Sequence, residues 1–191
     1  GSPAAAAAGD PVPVGAGTDP TAPAPDAARA PLHVALIDSG VDAAHPWLGG
    51  GIGPDRLIIG GTDLVDDDAD PSPSAVDPAS EAHGTQMASI ILRSPALAGL
   101  PPTAVPRMLA FRVTAREDVD GQVRTLARSD RVLAALEMAA DPNRDGLPGD
   151  RSDVIVLGLA RGFGGSGIDP VAQAMSAAGR AGAVVVAPVG N

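Results

Sequence analysis

Short apolar segments alternate with helical segments from residue 32 onward, and this alternation restricts the fold more than any other feature of the chain. Apolar runs of strand length lie at residues 32–37, 107–113, 153–159 and 183–187. Near-continuous apolar runs are typical of parallel strands that are buried on both faces. With helices between them, such strands need right-handed crossover connections. The sequence therefore predicts an α/β fold, with a parallel sheet and helices on both of its faces.

The first of three predicted helices begins at His83. Its apolar face is predicted to contain Met87, Ile90, Ile91 and Leu92, which are spaced as on one side of a helix. His83 would thus be the first residue of this helix, and residues 107–113 would form the next strand.

Two further helices carry start signals. One is capped by Ser129 or Asp130 and ends at Ala140, and the other covers residues 171–180 after Asp169 and the proline that follows it. Residues 63–80 are different, because aspartates and prolines dominate them. We predict an exposed loop there, with its acidic groups in solvent.

The carboxyl ends of the predicted strands contain the residues that are chemically most informative. Asp38 directly follows the first strand, residues 158–160 end the third, and Asn191 follows the last. In open α/β folds, the carboxyl ends of parallel strands lie at one edge of the sheet, where ligands bind. We therefore expect these residues to share one site.

Motifs along the chain narrow the function further. Asp38-Ser39-Gly40 is followed by His83-Gly84-Thr85-Gln86-Met87-Ala88, and the last four residues read Pro-Val-Gly-Asn. In this order the motifs resemble those of subtilisin-like serine proteases, the subtilases of peptidase family S8, whose triad runs Asp, His, Ser. Chymotrypsin-like proteases and α/β-hydrolases have other orders. The resemblance implies a subtilisin-like α/β fold that is incomplete here, with residues 32–191 as its amino-terminal part.

The resemblance also implies a role for each matching residue. Asp38 would orient His83, His83 would act as general base, and the side-chain amide of Asn191 would donate to the oxyanion. Gly158, Leu159 and Ala160 would form the strand that pairs with the substrate backbone. Family members usually have Ser-Leu-Gly at these three positions, so the methyl group of Ala160 changes the expected cleft.

The expected nucleophile is missing from the sequence. In this family it lies in a Gly-Thr-Ser-x-Ala segment, and no serine of the 191 residues has that context. Ser166 lies in a glycine-rich segment that is more typical of a loop. We therefore expect a serine endopeptidase for protein or peptide substrates that is inactive as this isolated chain. Its serine would lie on a missing or separate carboxyl-terminal fragment, which would associate with this chain along an exposed apolar edge of the last strand.

An alternative of a different class stays open. A subtilase-like scaffold could bind a peptide or protein partner without cleaving it, and both Ala160 and the absent serine favour this interpretation. The combination of Asp38, His83 and Asn191 favours the enzyme, because a binding module has no chemical need for an acid, a base and an oxyanion donor together.

The segment from Asp141 to Gly146 has the pattern of a calcium loop. Asp141, Asn143 and Asp145 place oxygen ligands at alternate positions before a glycine, with Asp150 or Asp153 as further candidates. The glutamate that an EF-hand has at its twelfth position is absent. Calcium binding and a plain turn rich in aspartate and asparagine are both consistent with the sequence.

Composition excludes several other classes. The net charge of -10 argues against nucleic acid as a partner, since phosphate binding needs clustered cations. Without cysteine the chain has no disulfide, no thiolate metal site and no thiol nucleophile. No stretch approaches the ~20 consecutive apolar residues of a membrane span. The proposed hydrolysis requires no cofactor.

Two expectations concern the context of the protein. Residues 1–31 are rich in alanine and proline, so we predict a disordered linker or propeptide remnant there. All 13 basic residues are arginine, which favours a GC-rich bacterial genome. The family resemblance implies export, to the periplasm or the extracellular space.

Overall fold

The computed structural model describes residues 31–74, 82–146, 150–159 and 169–188. The strands are β1 (His33–Asp38), β2 (Ile58–Asp63), β3 (Arg107–Arg112), β4 (Thr114–Val119), β5 (Gln122–Ala127), β6 (Val154–Leu157) and β7 (Val184–Val186). The helices are α1 (His83–Leu92), α2 (Ser129–Ala140) and α3 (Pro170–Arg180), with short 3-10 turns at Pro46–Leu48 and Pro95–Leu97.

A parallel sheet of five strands organises the described residues. Its order is β2-β3-β1-β6-β7, and every neighbouring pair is parallel. Strands β4 and β5 form a separate antiparallel hairpin. Because β1 occupies the centre of the sheet, the residue at its carboxyl end is flanked by the ends of β3 and β6.

Helices cover both faces of this sheet. On one face, residues of α2 and α3 such as Ala135 and Val171 share a buried apolar cluster with Ile37 of β1. On the other face, Ala88 of α1 is buried with Leu36 of the same strand. Successive side chains of β1 therefore point to opposite faces of the sheet and pack into two separate apolar clusters. This arrangement confirms the predicted α/β fold with a parallel sheet and helices on both faces.

The sequence did not predict β2 or the hairpin. β2 contains two adjacent glycines, which are unusual in a strand interior. The structure explains one of them, because a Cβ atom on Gly61 would lie 2.1 Å from the carbonyl oxygen of Ala110 in β3. Strand β5 has no apolar alternation to reveal it, since five of its six residues are exposed.

One residue of a predicted helix face and one predicted cap were wrong. Helix α1 buries Leu92 and packs Met87 and Ile91 against the core, as predicted, whereas Ile90 is 65% exposed. The N-cap position of α2 is occupied by Arg128, not by Ser129 or Asp130. For α3 the prediction was correct, because the Asp169 side chain accepts a hydrogen bond of 2.9 Å from the backbone N–H of Val171.

The prediction of an exposed acidic loop over residues 63–80 needs correction at its start. Asp63 is the last residue of β2 and is 3% exposed. Its carboxylate forms an ion pair with the equally buried Arg112 of β3, which also bonds to Asp66. The charge of Asp63 is therefore neutralised inside the protein, while Asp66 remains exposed. Residues 75–80 lie outside the described residues.

Strand β7 lies at one edge of the sheet, as the position of the last apolar run suggested. The side chains of Val184 and Val186 are exposed to 60% and 48%. An edge strand with exposed valines, whose outer side has no partner strand among the described residues, is a surface on which a further segment could pack. None of the helices in the described part of the chain has the length and apolarity needed to cross a bilayer.

Candidate active site

Asp38 is a buried carboxylate at the centre of the sheet's carboxyl edge. It is the last residue of β1 and is 1% exposed. A buried carboxylate is costly unless it is hydrogen-bonded, so its partners are essential to the site. The backbone N–H of Ser39 donates to Asp38 Oδ1 at 2.6 Å, and a second partner comes from α1.

That second partner is His83, the first residue of α1. Its Nδ1 lies 2.8 Å from Asp38 Oδ1 and 2.9 Å from Oδ2. Because a carboxylate only accepts, Nδ1 carries the proton in this contact and Nε2 is the basic nitrogen of the neutral ring. The His83 side chain is 51% exposed, so a second molecule or segment can reach the imidazole.

Glycines allow the elements around this pair to approach closely. A Cβ atom on Gly158, which directly follows β6, would lie 1.8 Å from Asp38 Oδ2 and 3.5 Å from His83 Cε1. A Cβ atom on Gly84 would lie 2.2 Å from the carbonyl oxygen of Gly40. Both positions therefore require glycine, and Asp38 and His83 can meet only because these side chains are absent.

The structure brings together some of the predicted site residues. Asp38 and His83 are in direct contact, and Gly158 lies against both of them. Leu159 follows Gly158 and packs against the α2–α3 side of the core. Ala160, Ser166 and Asn191 lie outside the described residues, so their predicted positions stay predictions.

Sequence reasoning overlooked the contribution of Ser39. Its hydroxyl oxygen accepts a hydrogen bond of 3.0 Å from the backbone N–H of Gly84, so the residue after Asp38 holds the residue after His83. One signal was available, because Ala82 precedes α1 and has no side-chain oxygen that could cap the helix.

The other described histidines have different surroundings. His45 precedes the 3-10 turn Pro46–Leu48, and its Nδ1 accepts a hydrogen bond of 3.2 Å from the backbone N–H of Trp47. His33 is at the opposite end of β1 from Asp38. Neither histidine is therefore a competitor for the position next to the buried carboxylate.

A buried ion pair lies at the same edge of the sheet as the contact between Asp38 and His83. Arg112 is the cross-strand neighbour of Asp38 on one side and of Asp63 on the other. Its guanidinium bonds to Asp63 and lies 2.7 Å from Asp66. An ion pair thus links the carboxyl ends of β2 and β3, next to the strand that ends at Asp38.

The predicted calcium ligands form a cluster at the surface, which we name the Asx cluster: Asp141, Asn143, Asp145 and Asp150. Carboxylate oxygens of Asp141, Asp145 and Asp150 all lie within 4.8 Å of one another. Such oxygens suit a hard cation. Asp141 also accepts bonds from the N–H groups of Asp145 and Gly146, as a plain turn would require. Both interpretations of the sequence therefore stay open.

An exposed pair of opposite charges lies at the start of α2, outside the site. A hydrogen bond from the Arg128 side chain, with Nε 3.3 Å from Asp130 Oδ1, lowers the pKa of Asp130 in the first turn of α2. Both side chains are exposed, so this pair has little influence on the rest of the protein.

The fold and the pair together define a class of protein. A buried carboxylate bonded to an accessible imidazole is the acid–base arrangement of enzymes that activate a nucleophile. The sequence matches the model of the subtilase family, Peptidase_S8, over residues 31–191. The chain therefore belongs to the subtilase family of peptidases.

The chain is also similar to solved structures, although no curated protein matches it. One structure is the prenylagaramide maturation protease PagA, with 21% identity and a TM-score of 0.47 over 82% of this chain and 44% of that chain. Another is a cold adapted subtilisin-like serine proteinase, with 20% identity and a TM-score of 0.49 over 82% of this chain and 45% of that chain. This chain spans less than half the length of either protein.

Proposed function

We propose that this chain supplies the acid and the base of a serine endopeptidase. The observation that carries the proposal is the contact between the buried Asp38 carboxylate and Nδ1 of the half-exposed His83, at 2.8 Å. Membership of the subtilase family supports a peptide or protein as substrate. The chain supplies no serine in the Gly-Thr-Ser-x-Ala context, so the nucleophile belongs to a segment outside these 191 residues.

The geometry defines how the pair acts in this proposal. A serine hydroxyl donates to His83 Nε2, and the imidazole takes its proton as the serine oxygen attacks the substrate carbonyl. The resulting imidazolium keeps its Nδ1–H bond to Asp38, whose negative charge stabilises it. His83 then returns the proton to the leaving amine, and the cycle repeats with water to release the acyl group.

Two further roles belong to this proposal. The side-chain amide of Asn191 donates to the oxyanion, and the backbone of Gly158, Leu159 and Ala160 pairs with the substrate. The support for the second role is the position of Gly158. A Cβ atom added to Gly158 would lie 3.5 Å from His83 Cε1. A substrate paired at that strand end would reach the acid–base pair directly.

A carboxyl-terminal fragment that carries the serine is the proposed partner of this chain. The exposed edge of β7, with Val184 and Val186, is a surface that such a fragment could cover. The isolated chain is then inactive, and hydrolysis requires both segments. We also propose that the Asx cluster binds calcium, which would stabilise the protein without taking part in hydrolysis.

Reconstitution tests this proposal. The 191-residue chain is combined with the polypeptide that carries Gly-Thr-Ser-x-Ala in the native protein, and hydrolysis of a peptide amide and labelling by a fluorophosphonate are measured. His83→Ala should lower kcat by about 10⁶-fold and Asp38→Asn by about 10⁴-fold. His45→Ala is the matched control and should retain full activity.

The alternative function, a scaffold that binds a peptide or protein without cleaving it, predicts a different outcome. If the combined segments bind peptides but neither hydrolyse them nor react with the fluorophosphonate, the chain is a binding scaffold and the peptidase proposal is wrong. If His45→Ala abolishes activity as strongly as His83→Ala, the assignment of the base to His83 is wrong.

A further inference from the structure

The N-cap residue of helix α1 provides no side-chain hydrogen bond to the first turn. The first N–H groups of any helix have no acceptor within the helix, and a side chain at the N-cap usually provides one. Here the N-cap is Ala82, which has helical dihedral angles and no side-chain oxygen. Another part of the described chain therefore has an opportunity to provide an acceptor for the first turn.

Ser39 provides this acceptor. Its hydroxyl oxygen lies 3.0 Å from the backbone nitrogen of Gly84, although the two residues are 45 positions apart in the chain. Ser39 is 3% exposed, so water does not compete freely for this bond. The backbone N–H of the same residue donates to Asp38 at 2.6 Å. One residue thus binds both the acid and the helix that carries the base.

A second long-range bond supports the same junction. The backbone N–H of Asp42 donates to Thr85 Oγ1 at 2.9 Å, again between the loop after β1 and the first turn of α1. Between these two bonds, the missing side chain of Gly84 lets the helix lie directly on the carbonyl of Gly40. The start of α1 is therefore fixed against the end of β1 on several sides.

We propose that Ser39 is a positioning residue for His83. Its hydroxyl fixes the first turn of α1 so that Nδ1 of His83 meets the Asp38 carboxylate before a nucleophile or a substrate is present. The catalytic meaning of the pair rests on the proposed function, but the positioning itself does not.

Nuclear magnetic resonance on the 191-residue chain tests the positioning without any peptidase activity. Two quantities are measured: the hydrogen-exchange rate of the Gly84 amide, relative to the amide of Leu36 in the core of β1, and the low-field signal of the His83 Nδ1 proton. The variants are Ser39→Ala, which removes the acceptor, and Ser39→Thr, which keeps it. Ser89→Ala is the matched control, because it removes another serine bond of α1, the one to the Thr85 carbonyl at 2.9 Å.

Ser39→Ala should accelerate exchange of Gly84 about fivefold relative to Leu36, the change expected for the loss of a helix cap. It should also broaden or abolish the Nδ1 signal of His83. Ser39→Thr and Ser89→Ala should retain both properties. A failure of the reconstituted hydrolysis would leave these expectations unchanged, so the two proposals fail separately.

Several results would overturn the positioning role. One is a Ser39→Ala chain with unchanged relative exchange at Gly84 and an unchanged Nδ1 signal, even if its overall stability is lower. Another is a Ser89→Ala chain that behaves like Ser39→Ala. If Ser39→Ala does not fold, two other results would contradict the proposal. The first is that the Gly84 amide of the unsubstituted chain exchanges as fast as that of an unstructured glycine. The second is that Ser39→Thr folds but its Gly84 amide is not protected from exchange.

Discussion

The absence of a side chain at Gly158 is the feature of the site that is most sensitive to substitution. In Gly158→Ala, the new methyl carbon would lie 1.8 Å from Asp38 Oδ2 and 2.8 Å from its Cγ, whereas ordinary contacts begin near 3.4 Å. The carboxylate or the end of β6 must then move by about 1.5 Å, a displacement that a hydrogen bond cannot tolerate. The contact between Asp38 and His83 should therefore break.

The expected loss of stability has two parts. Forcing a methyl group into a packed site costs about 1–3 kcal/mol, and losing a hydrogen bond to a charged group costs about 1.5–3 kcal/mol. Together they predict that Gly158→Ala lowers the free energy of unfolding by roughly 2.5–6 kcal/mol. Asp38 cannot escape the overlap by turning toward solvent, because it is 1% exposed.

Urea unfolding followed by circular dichroism measures this loss, and the His83 Nδ1 proton signal reports on the hydrogen bond. The control is Gly179→Ala, a glycine within α3 whose added Cβ would have no neighbour within 4 Å. That variant should be neutral or more stable by up to ~1 kcal/mol, since alanine favours helices. The reasoning would be refuted if Gly158→Ala changed the free energy of unfolding by less than about 0.5 kcal/mol and kept the His83 Nδ1 signal.

Two other predictions concern charge. Arg112→Met should lower the free energy of unfolding by about 3–5 kcal/mol, because it leaves Asp63 buried without its cation. Arg128→Met should cost far less, because solvent screens the exposed pair of Arg128 with Asp130. Equal losses in urea unfolding would contradict this difference. Calcium at 100 times its dissociation constant should stabilise the chain by about 2.7 kcal/mol, measured as a rise in Tm over the chelated protein, and Asp145→Asn should reduce that rise. An equal rise with magnesium, or an unchanged rise in the variant, would count against a calcium site in the Asx cluster.

Local patterns were sufficient to predict much of the fold and the main residues of the site. The apolar runs predicted β1, β3, β6 and β7, because a strand buried on both faces needs apolar residues at nearly every position. The motif resemblance selected Asp38 and His83, and the structure brings these two side chains into contact. The same approach missed β2 and the hairpin, whose glycines and exposed residues give no apolar signal.

What the sequence by itself determined about this protein is therefore its class of fold, the candidate pair of Asp38 and His83, and the membership of the subtilase family. Only the tertiary structure decided how they are held: Ser39 caps a helix 45 positions away, and Arg112 neutralises an aspartate 49 positions away. The tertiary structure also decided the close approach of Gly158 to Asp38. The physical reason is that strand order and register choose these partners, and neither is written in the spacing of neighbouring residues.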